Sequence, residues 1–466
     1  MLPVVALVGR PNVGKSTLFN VLTRSRDALV ADLPGVTRDR HYGICRLGTR
    51  QFMVVDTGGL ADSDEGLAGL TALQVQAAID EADVVVFVVD ARDGLLPGDP
   101  MVLDRLRRAS KPLLLAVNKV DGLDEHVALA EFARLGIADP LPLAASHGRG
   151  VQPLLDAVTP LLPAEIEEPA EAADAGGVRV AIVGRPNVGK STLVNRLLGE
   201  DRVIVSDVAG TTRDSIRIAL ERDGKRYTLI DTAGVRRRAR IEDAVEKFSV
   251  IKTLQSIEAA NVVVLLLDAK EGVTDQDAGL IGHVLEAQRA LVIAVNKWDG
   301  LSAYDREQCR TSLSRKLDFV AWAPQVTISA LHGSGIGELM KAVNRSHAAA
   351  SRTFTSSELT RALEAAYEGY QPPLVRGHAP KLKYAHPGGT NPPTIVIHGS
   401  RTRHLADAYR RYLENFFRKR YRLVGTPIRI EFRDGENPYA GKRNELTEGQ
   451  QRRRQRMIRN AKRGKR

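Results

Sequence analysis

Gly9-Arg10-Pro11-Asn12-Val13-Gly14-Lys15-Ser16-Thr17-Leu18 recurs, unchanged, as Gly184-Arg185-Pro186-Asn187-Val188-Gly189-Lys190-Ser191-Thr192-Leu193, 175 positions later. Each copy follows a short apolar run and opens a helical pattern. A Gly-x-x-x-x-Gly-Lys-Ser turn between strand and helix suits phosphate. Its glycines let the backbone come close, its successive N–H groups make an anion cradle, and the helix start adds positive potential. Lys15 and Lys190 are expected at the β- and γ-phosphates, and Ser16 and Ser191 on Mg2+.

Further motifs recur at the same offset. Thr37-Arg38-Asp39 returns as Thr212-Arg213-Asp214, and Asp56-Thr57-Gly58-Gly59 as Asp231-Thr232-Ala233-Gly234. Asn118-Lys119-Val120-Asp121 returns as Asn296-Lys297-Trp298-Asp299 at an offset of 178, and Ala144-Ala145 as Ser329-Ala330 at 185. The loops have taken insertions while the order of motifs held. A period of this size is a duplicated domain, not a solenoid.

Each motif has a chemical reason. Thr37 and Thr212 can offer a hydroxyl to Mg2+ and a backbone N–H to a γ-phosphate, so their loops order only with the triphosphate. Asp56 and Asp231 are expected to hold Mg2+, and the N–H of Gly59 or Gly234 to sense the γ-phosphate. A carboxylate accepts from both N1–H and the N2 amine of guanine, a donor pair adenine lacks, so Asp121 and Asp299 point to GTP and GDP. Ala145 and Ala330 are expected to place an N–H on guanine O6. The first copy has Ala144 where the second has Ser329, which removes a hydroxyl that could brace the loop. Leu60 and Val235 stand where Ras-type GTPases carry a Gln that orients the attacking water, so either activity is low or another group assists hydrolysis.

Apolar runs of strand length alternate with helical stretches: in the first copy, strands near Val4–Val8, Phe52–Asp56, Val84–Asp90, Leu113–Asn118 and Leu141–Leu143. Helices are expected near Lys15–Leu22, Leu70–Glu81, Pro100–Arg108, His126–Leu135 and Val151–Thr159. This is the pattern of buried parallel strands in an open, doubly wound α/β sheet, which binds ligands at the C-terminal strand ends where the motifs fall. The expected organisation is a first domain over 1–162, a flexible acidic linker over 163–177, a second domain over 178–350, a smaller α+β domain over 351–440 and a basic disordered tail over 441–466.

Charge separates these parts. The 466 residues carry +11, but from Ser351 onward there are 26 Lys/Arg against 10 Asp/Glu, leaving the preceding part mildly acidic. The tail, with Arg452-Arg453-Arg454, Arg456, Arg459, Lys462, Arg463, Lys465 and Arg466, has almost nothing apolar to fold around. It suits a phosphate backbone. No apolar run approaches the roughly 20 residues needed to span a bilayer. The N-terminus enters a strand at once without a basic leader, so a cytoplasmic protein is expected. Cys45 and Cys309 cannot make a disulfide framework and read as ordinary half-buried thiols.

The C-terminal part reads as helix, two strands, helix, strand: Ser357–Gly369, Lys381–Ala385, Thr394–His398, Arg403–Arg418 and Pro427–Phe432. The long helix carries Leu405, Ala408, Tyr409, Tyr412, Leu413 and Phe416 at helical spacing, a core pattern.

The duplicated Gly-Arg-Pro-Asn-Val-Gly-Lys-Ser-Thr, the Gly-Val-Thr-Arg-Asp and Gly-Thr-Thr-Arg-Asp switches and the paired Asn-Lys-x-Asp resemble the Der or EngA double-GTPase family, one of the TrmE-Era-EngA-like GTPases, along essentially the whole chain. The resemblance implies two tandem P-loop GTPase domains followed by a KH-like domain. It also implies GTP hydrolysis, a role in maturation of the large (50S) ribosomal subunit, and rRNA as partner of a monomer. The GxxG clamp of true KH modules is not evident. The resemblance further implies that the P-loop Asn, here Asn12 and Asn187, holds a K+ ion beside the phosphates. An Asn carbonyl is a suitable hard-oxygen ligand, although Asn in a loop also serves as a cap. The residues then expected to act in hydrolysis are Asn12, Lys15, Thr37 and Gly59, with Asn187, Lys190, Thr212 and Gly234. A tRNA-modification GTPase would share the switch style, but the cysteine or cofactor module it needs is not visible.

Overall fold

The computed structural model describes all residues except 1, 24–41, 59–75, 77, 165–176, 200–203, 208–217, 231–249, 375–378, 403–404 and 435–466. Thr37, Gly59, Leu60, Thr212, Asp231, Thr232, Ala233, Gly234, Val235, most of the linker and the tail lie outside the described residues.

The first sheet has six strands: β1 (Val4–Val8), β2 (Tyr42–Cys45), β3 (Phe52–Asp56), β4 (Val84–Asp90), β5 (Leu113–Asn118) and β6 (Leu141–Pro142). Their order is β2-β3-β1-β4-β5-β6, all parallel except the edge pair β2–β3. All seven residues of β4 are buried. In β1 the alternate residues Val4, Ala6 and Val8 join one core cluster and Val5 and Leu7 another, so both faces are covered. That is why these strands read as unbroken apolar runs rather than alternating ones. β2 was not foreseen. It is a half-buried edge strand, and its Tyr-Gly-Ile-Cys carries no such run.

The second sheet has seven: β7 (Val178–Val183), β8 (Ile204–Asp207), β9 (Ile218–Arg222), β10 (Lys225–Ile230), β11 (Val262–Asp268), β12 (Ala290–Asn296) and β13 (Gln325–Thr327), ordered β13-β12-β11-β7-β10-β9-β8. A two-residue turn, Asp223-Gly224 with φ of 52° and 71°, joins antiparallel β9 and β10. Positive φ at both positions is the hairpin turn that fits strand twist.

In each sheet the order reverses at one strand. β1 lies between β3 and β4, and β7 between β10 and β11. A crevice opens at such a switch point, and the two glycine-rich turns leave the sheets there. The helices Lys15–Thr23 and Lys190–Leu198 follow at once.

The C-terminal unit keeps the expected helix-strand-strand-helix-strand order. Its elements are the helix Ser356–Gly369, β14 (Lys381–Gly389), β15 (Thr394–Ser400), the helix Asp407–Tyr421 and β16 (Arg429–Asp434), the strands ordered β14-β15-β16. The last helix starts at Asp407 rather than near Arg403 and runs on to Tyr421. Leu405, Tyr409 and Leu413 are buried as expected, but Ala408 is exposed and Phe417, not Phe416, is fully enclosed. Both cysteines are buried rather than half-buried, and burial pushes the Cys309 thiol up.

Candidate nucleotide sites

The second glycine of each P-loop is placed where no other residue fits. Gly14 and Gly189 have φ of 95° and 103°. A Cβ on them would stand 2.2 and 2.3 Å from the side-chain nitrogens of Asn118 and Asn296.

Those asparagines tie each site together through the same atoms. In the first copy Asn118 Nδ2 donates to Val13 O at 2.9 Å, and its Oδ1 accepts from Ala145 N at 3.1 Å. In the second, Asn296 Nδ2 donates to Val188 O at 2.8 Å and Oδ1 accepts from Ala330 N at 2.9 Å. Both amides are buried. One side chain thus joins the phosphate loop, the base motif and the loop after the last strand.

The next lysine adds a second tie. Lys119 Nζ donates to Asn12 O at 2.8 Å and pairs with Asp90 at 2.5 Å. Lys297 Nζ donates to Asn187 O at 3.0 Å and pairs with Asp268 at 2.6 Å. Asp90 and Asp268 end β4 and β11 and are nearly fully buried. Neither was foreseen, although Asp90-Ala91-Arg92-Asp93-Gly94 and Asp268-Ala269-Lys270-Glu271-Gly272 repeat at the base-motif offset of 178.

A third tie fixes the P-loop arginine. Arg10 Nε donates to Asp99 Oδ1 at 2.7 Å, and Asp99 Oδ2 also accepts from Leu96 N. Arg185 Nε lies 3.1 Å from both oxygens of Asp277, which forms a capping box with Thr274. Asp99 and Asp277 are wholly enclosed. The carbonyl of the clamped arginine in turn accepts from the P-loop lysine: Lys15 and Lys190 reach Arg10 O and Arg185 O, each at 2.7 Å.

Asn12 and Asn187 have φ of 66° and 63°. Asparagine is among the few side chains that tolerate this left-handed region, so backbone shape is one reason for Asn there.

The bases of the two sites differ. Ser329, with Asp299's own backbone and the nearby His332 and Lys270, holds the Asp299 carboxyl below its ordinary range. Ala144 offers no hydroxyl, and Asp121 is instead paired with Arg92.

At the phosphate end of the first site lies a cavity of about 360 Å3 beside Gly9, Asn12, Lys15, Ser16, Thr57 and Gly58. Asp56 is buried and its Oδ1 accepts from Gly58 N at 2.9 Å. A Cβ on Gly58 would stand 2.7 Å from Lys15 Cε and 3.2 Å from Asp56 Oδ1, so the glycine keeps the space between cation and carboxylate open. A serine hydroxyl and an aspartate with few protein partners fit Mg2+, which keeps several waters and takes its other ligands from phosphate.

Two doubly wound domains, each with a phosphate-binding loop tied to a guanine-type base motif, define a protein that binds and hydrolyses GTP. The family described as "50S ribosome-binding GTPase" matches residues 4–119 and 179–297, and the KH-domain-like C-terminal family of EngA bacterial GTPase enzymes matches 354–433. The GTPase Der of Stenotrophomonas maltophilia strain K279a is 59% identical over 463 residues, covering 99% of this chain and 100% of its own. That of Xylella fastidiosa strain M23 is 57% identical over 464 residues, with the same coverage. A solved FeoB G-domain from Methanococcus jannaschii aligns at 28% identity and a TM-score of 0.27, over 34% of this chain and 98% of its own. The chain belongs to the Der (EngA) family of double GTPases. Among the described residues no helix is long and apolar enough to cross a membrane.

Proposed function

We propose that this GTPase is a cytoplasmic, monomeric switch with two working sites that assists maturation of the large (50S) ribosomal subunit through contacts with rRNA. The observation that carries the two-site reading is the repetition of the Asn118/Asn296, Lys119/Lys297 and Arg10/Arg185 ties. A degenerate copy would have no reason to keep them. The basic C-terminal region, 26 Lys/Arg against 10 Asp/Glu, supports RNA as the partner. We assign the domain limits to 1–162, 178–350 and 351–440, with the tail from 441.

In each site the P-loop N–H groups and Lys15 or Lys190 bind and orient the β- and γ-phosphates. Asp121 or Asp299 reads guanine, and the N–H of Ala145 or Ala330, which donates to Asn118 or Asn296 in this structure, is shared with guanine O6 when the base is bound. Ser16, Thr37 and Asp56, with Ser191, Thr212 and Asp231, would hold Mg2+, and the ion would offset charge on the phosphate oxygens. Asn12 and Asn187 would hold K+ through the side-chain carbonyl, and the ion would offset charge developing on the phosphates, helping hydrolysis where Leu60 and Val235 replace the usual Gln.

Hydrolysis compared in KCl and NaCl tests this last role. Asn12→Gly and Asn187→Gly can keep the left-handed backbone and remove the side-chain amide, its carbonyl included. Each is expected to lose the K+ stimulation of its own site with GDP affinity retained. Stimulation that persists in both would reduce these asparagines to loop formers. For the ribosomal role, co-sedimentation with large subunits should depend on which nucleotide is bound; equal or absent association with GTP analogue and GDP would remove it.

A further inference from the structure

The sheet of the C-terminal unit has one face packed by its own helices. Ala385, Ile395 and Ile397 lie on that side, fully buried, and Phe432 turns there too, under the guanidinium of Arg410 at 5.1 Å. Strand alternation sends Tyr384, His386, Val396, His398 and Arg433 to the opposite face, where Val396 is buried and the other four are at least partly exposed.

On that face three rings from two strands form a stack. Tyr384 and His398 are parallel within 8°, with centroids 4.5 Å apart. His386 follows at 5.1 Å from His398, and the two imidazole Nε2 atoms are 3.1 Å apart. Tyr384 is 47% exposed, and both histidines are partly exposed. Burial, then His386, then the charge of Arg433 lower the His398 pKa, so Arg433, more than half exposed, stands near the stack. It pairs with the half-buried Glu431 at 3.5 Å.

An open aromatic ring stacked on a strand, with a cation alongside, is what an unpaired base needs: a π-face to cover and a charge for its phosphate. The clamp by which KH modules grip RNA is absent, since no two glycines between 351 and 440 are three apart. The unit nevertheless sits in the basic quarter of the chain. We infer that this face, Tyr384 with His398, His386 and Arg433, is a stacking platform for single-stranded RNA. The inference rests on the RNA-partner reading above and gives it a surface other than the polycationic tail.

The test uses the full chain and a fluorescein-labelled single-stranded RNA of mixed sequence, with the matching duplex alongside, followed by anisotropy across a salt series. Tyr384→Ala with His398→Ala should weaken single-strand binding by roughly five- to hundredfold, the range for losing one base stack. The salt slope should stay unchanged, and so should the duplex affinity. Tyr384→Phe should bind as the unaltered chain does, which separates stacking from a folding defect. Arg433→Gln should instead shallow the salt slope by about one. If Tyr384→Ala with His398→Ala binds normally, the rings are only a cross-strand pair, and the surface is overturned. Binding lost on removing zinc with phenanthroline would also overturn it, assigning the histidines to a metal. If the unaltered chain sediments with ribosomal subunits but ignores the oligonucleotide, only this surface fails. If it does neither, the RNA-partner reading fails with it.

Discussion

Asp121 and Asp299 stand at matching positions of the two sites, but their carboxylates have different neighbours. The Ser329 hydroxyl lowers the Asp299 pKa and His332 pairs with that carboxylate at 3.4 Å, while Asp121 has Ala144 at the position matching Ser329 and is paired with Arg92. If these carboxylates read guanine as proposed, the base has to compete with that guanidinium in the first site and meets a carboxylate held in its charged form in the second. Ser329→Ala is therefore expected to weaken GDP binding at the second site by roughly three- to tenfold, the scale of one hydrogen bond. Ala144→Ser should strengthen the first by less, because Arg92 remains. Calorimetric titration of chains with the other P-loop lysine replaced would read each site alone; no change in either would show that these hydroxyls do not bear on guanine. The serine-to-alanine difference was visible in the sequence because the repeat aligned it. Arg92 was not, since it lies 29 residues before its partner, in a loop that carries no recognised motif.

The ties between elements follow the same logic. Asp99 and Asp277 start helices and also clamp the P-loop arginine whose carbonyl holds the lysine. Asp99→Asn keeps the shape and leaves Arg10 without its anion. Breaking a buried pair costs about 3–5 kcal/mol, and partial exposure of Arg10 places this one at the low end. The first site should show a raised KM for GTP with kcat less affected; an unchanged KM would mean the loop holds its shape unaided. Repeat spacing could have found these aspartates, yet a carboxylate at a helix start reads first as a cap. Buried apolar elements were legible from their runs, whereas the edge strand β2 and the start of the helix Asp407–Tyr421 were not, because neither is set by an apolar run. That helix also carries a pH signature. Burial raises the Glu414 carboxyl to about 6, against the pull of Arg418, Arg410 and Arg411. A carboxyl raised on folding stabilises below its unfolded value, and the gain fades as pH climbs from about 4.5 to 6. Stability of the C-terminal unit should fall by about 2 kcal/mol across that window. Thermal melts of Glu414→Gln should lack that fall; a parallel pH profile would assign it elsewhere.

At the scale of the molecule, a family of double GTPases is joined here to a basic C-terminal region. The two sites share their internal ties and differ around Asp121 and Asp299. The Thr and Gly of both switches, and the Leu60 and Val235 that replace the usual Gln, lie outside the described residues, so their chemistry rests on the repeat. The most direct test is steady-state GTP hydrolysis by Lys15→Ala and Lys190→Ala beside the unaltered chain, in KCl with large ribosomal subunits present. Each substitution should remove part of the turnover, and both together nearly all of it. If one of them leaves turnover unchanged, that site is not a working GTPase, and the account of two switches is wrong.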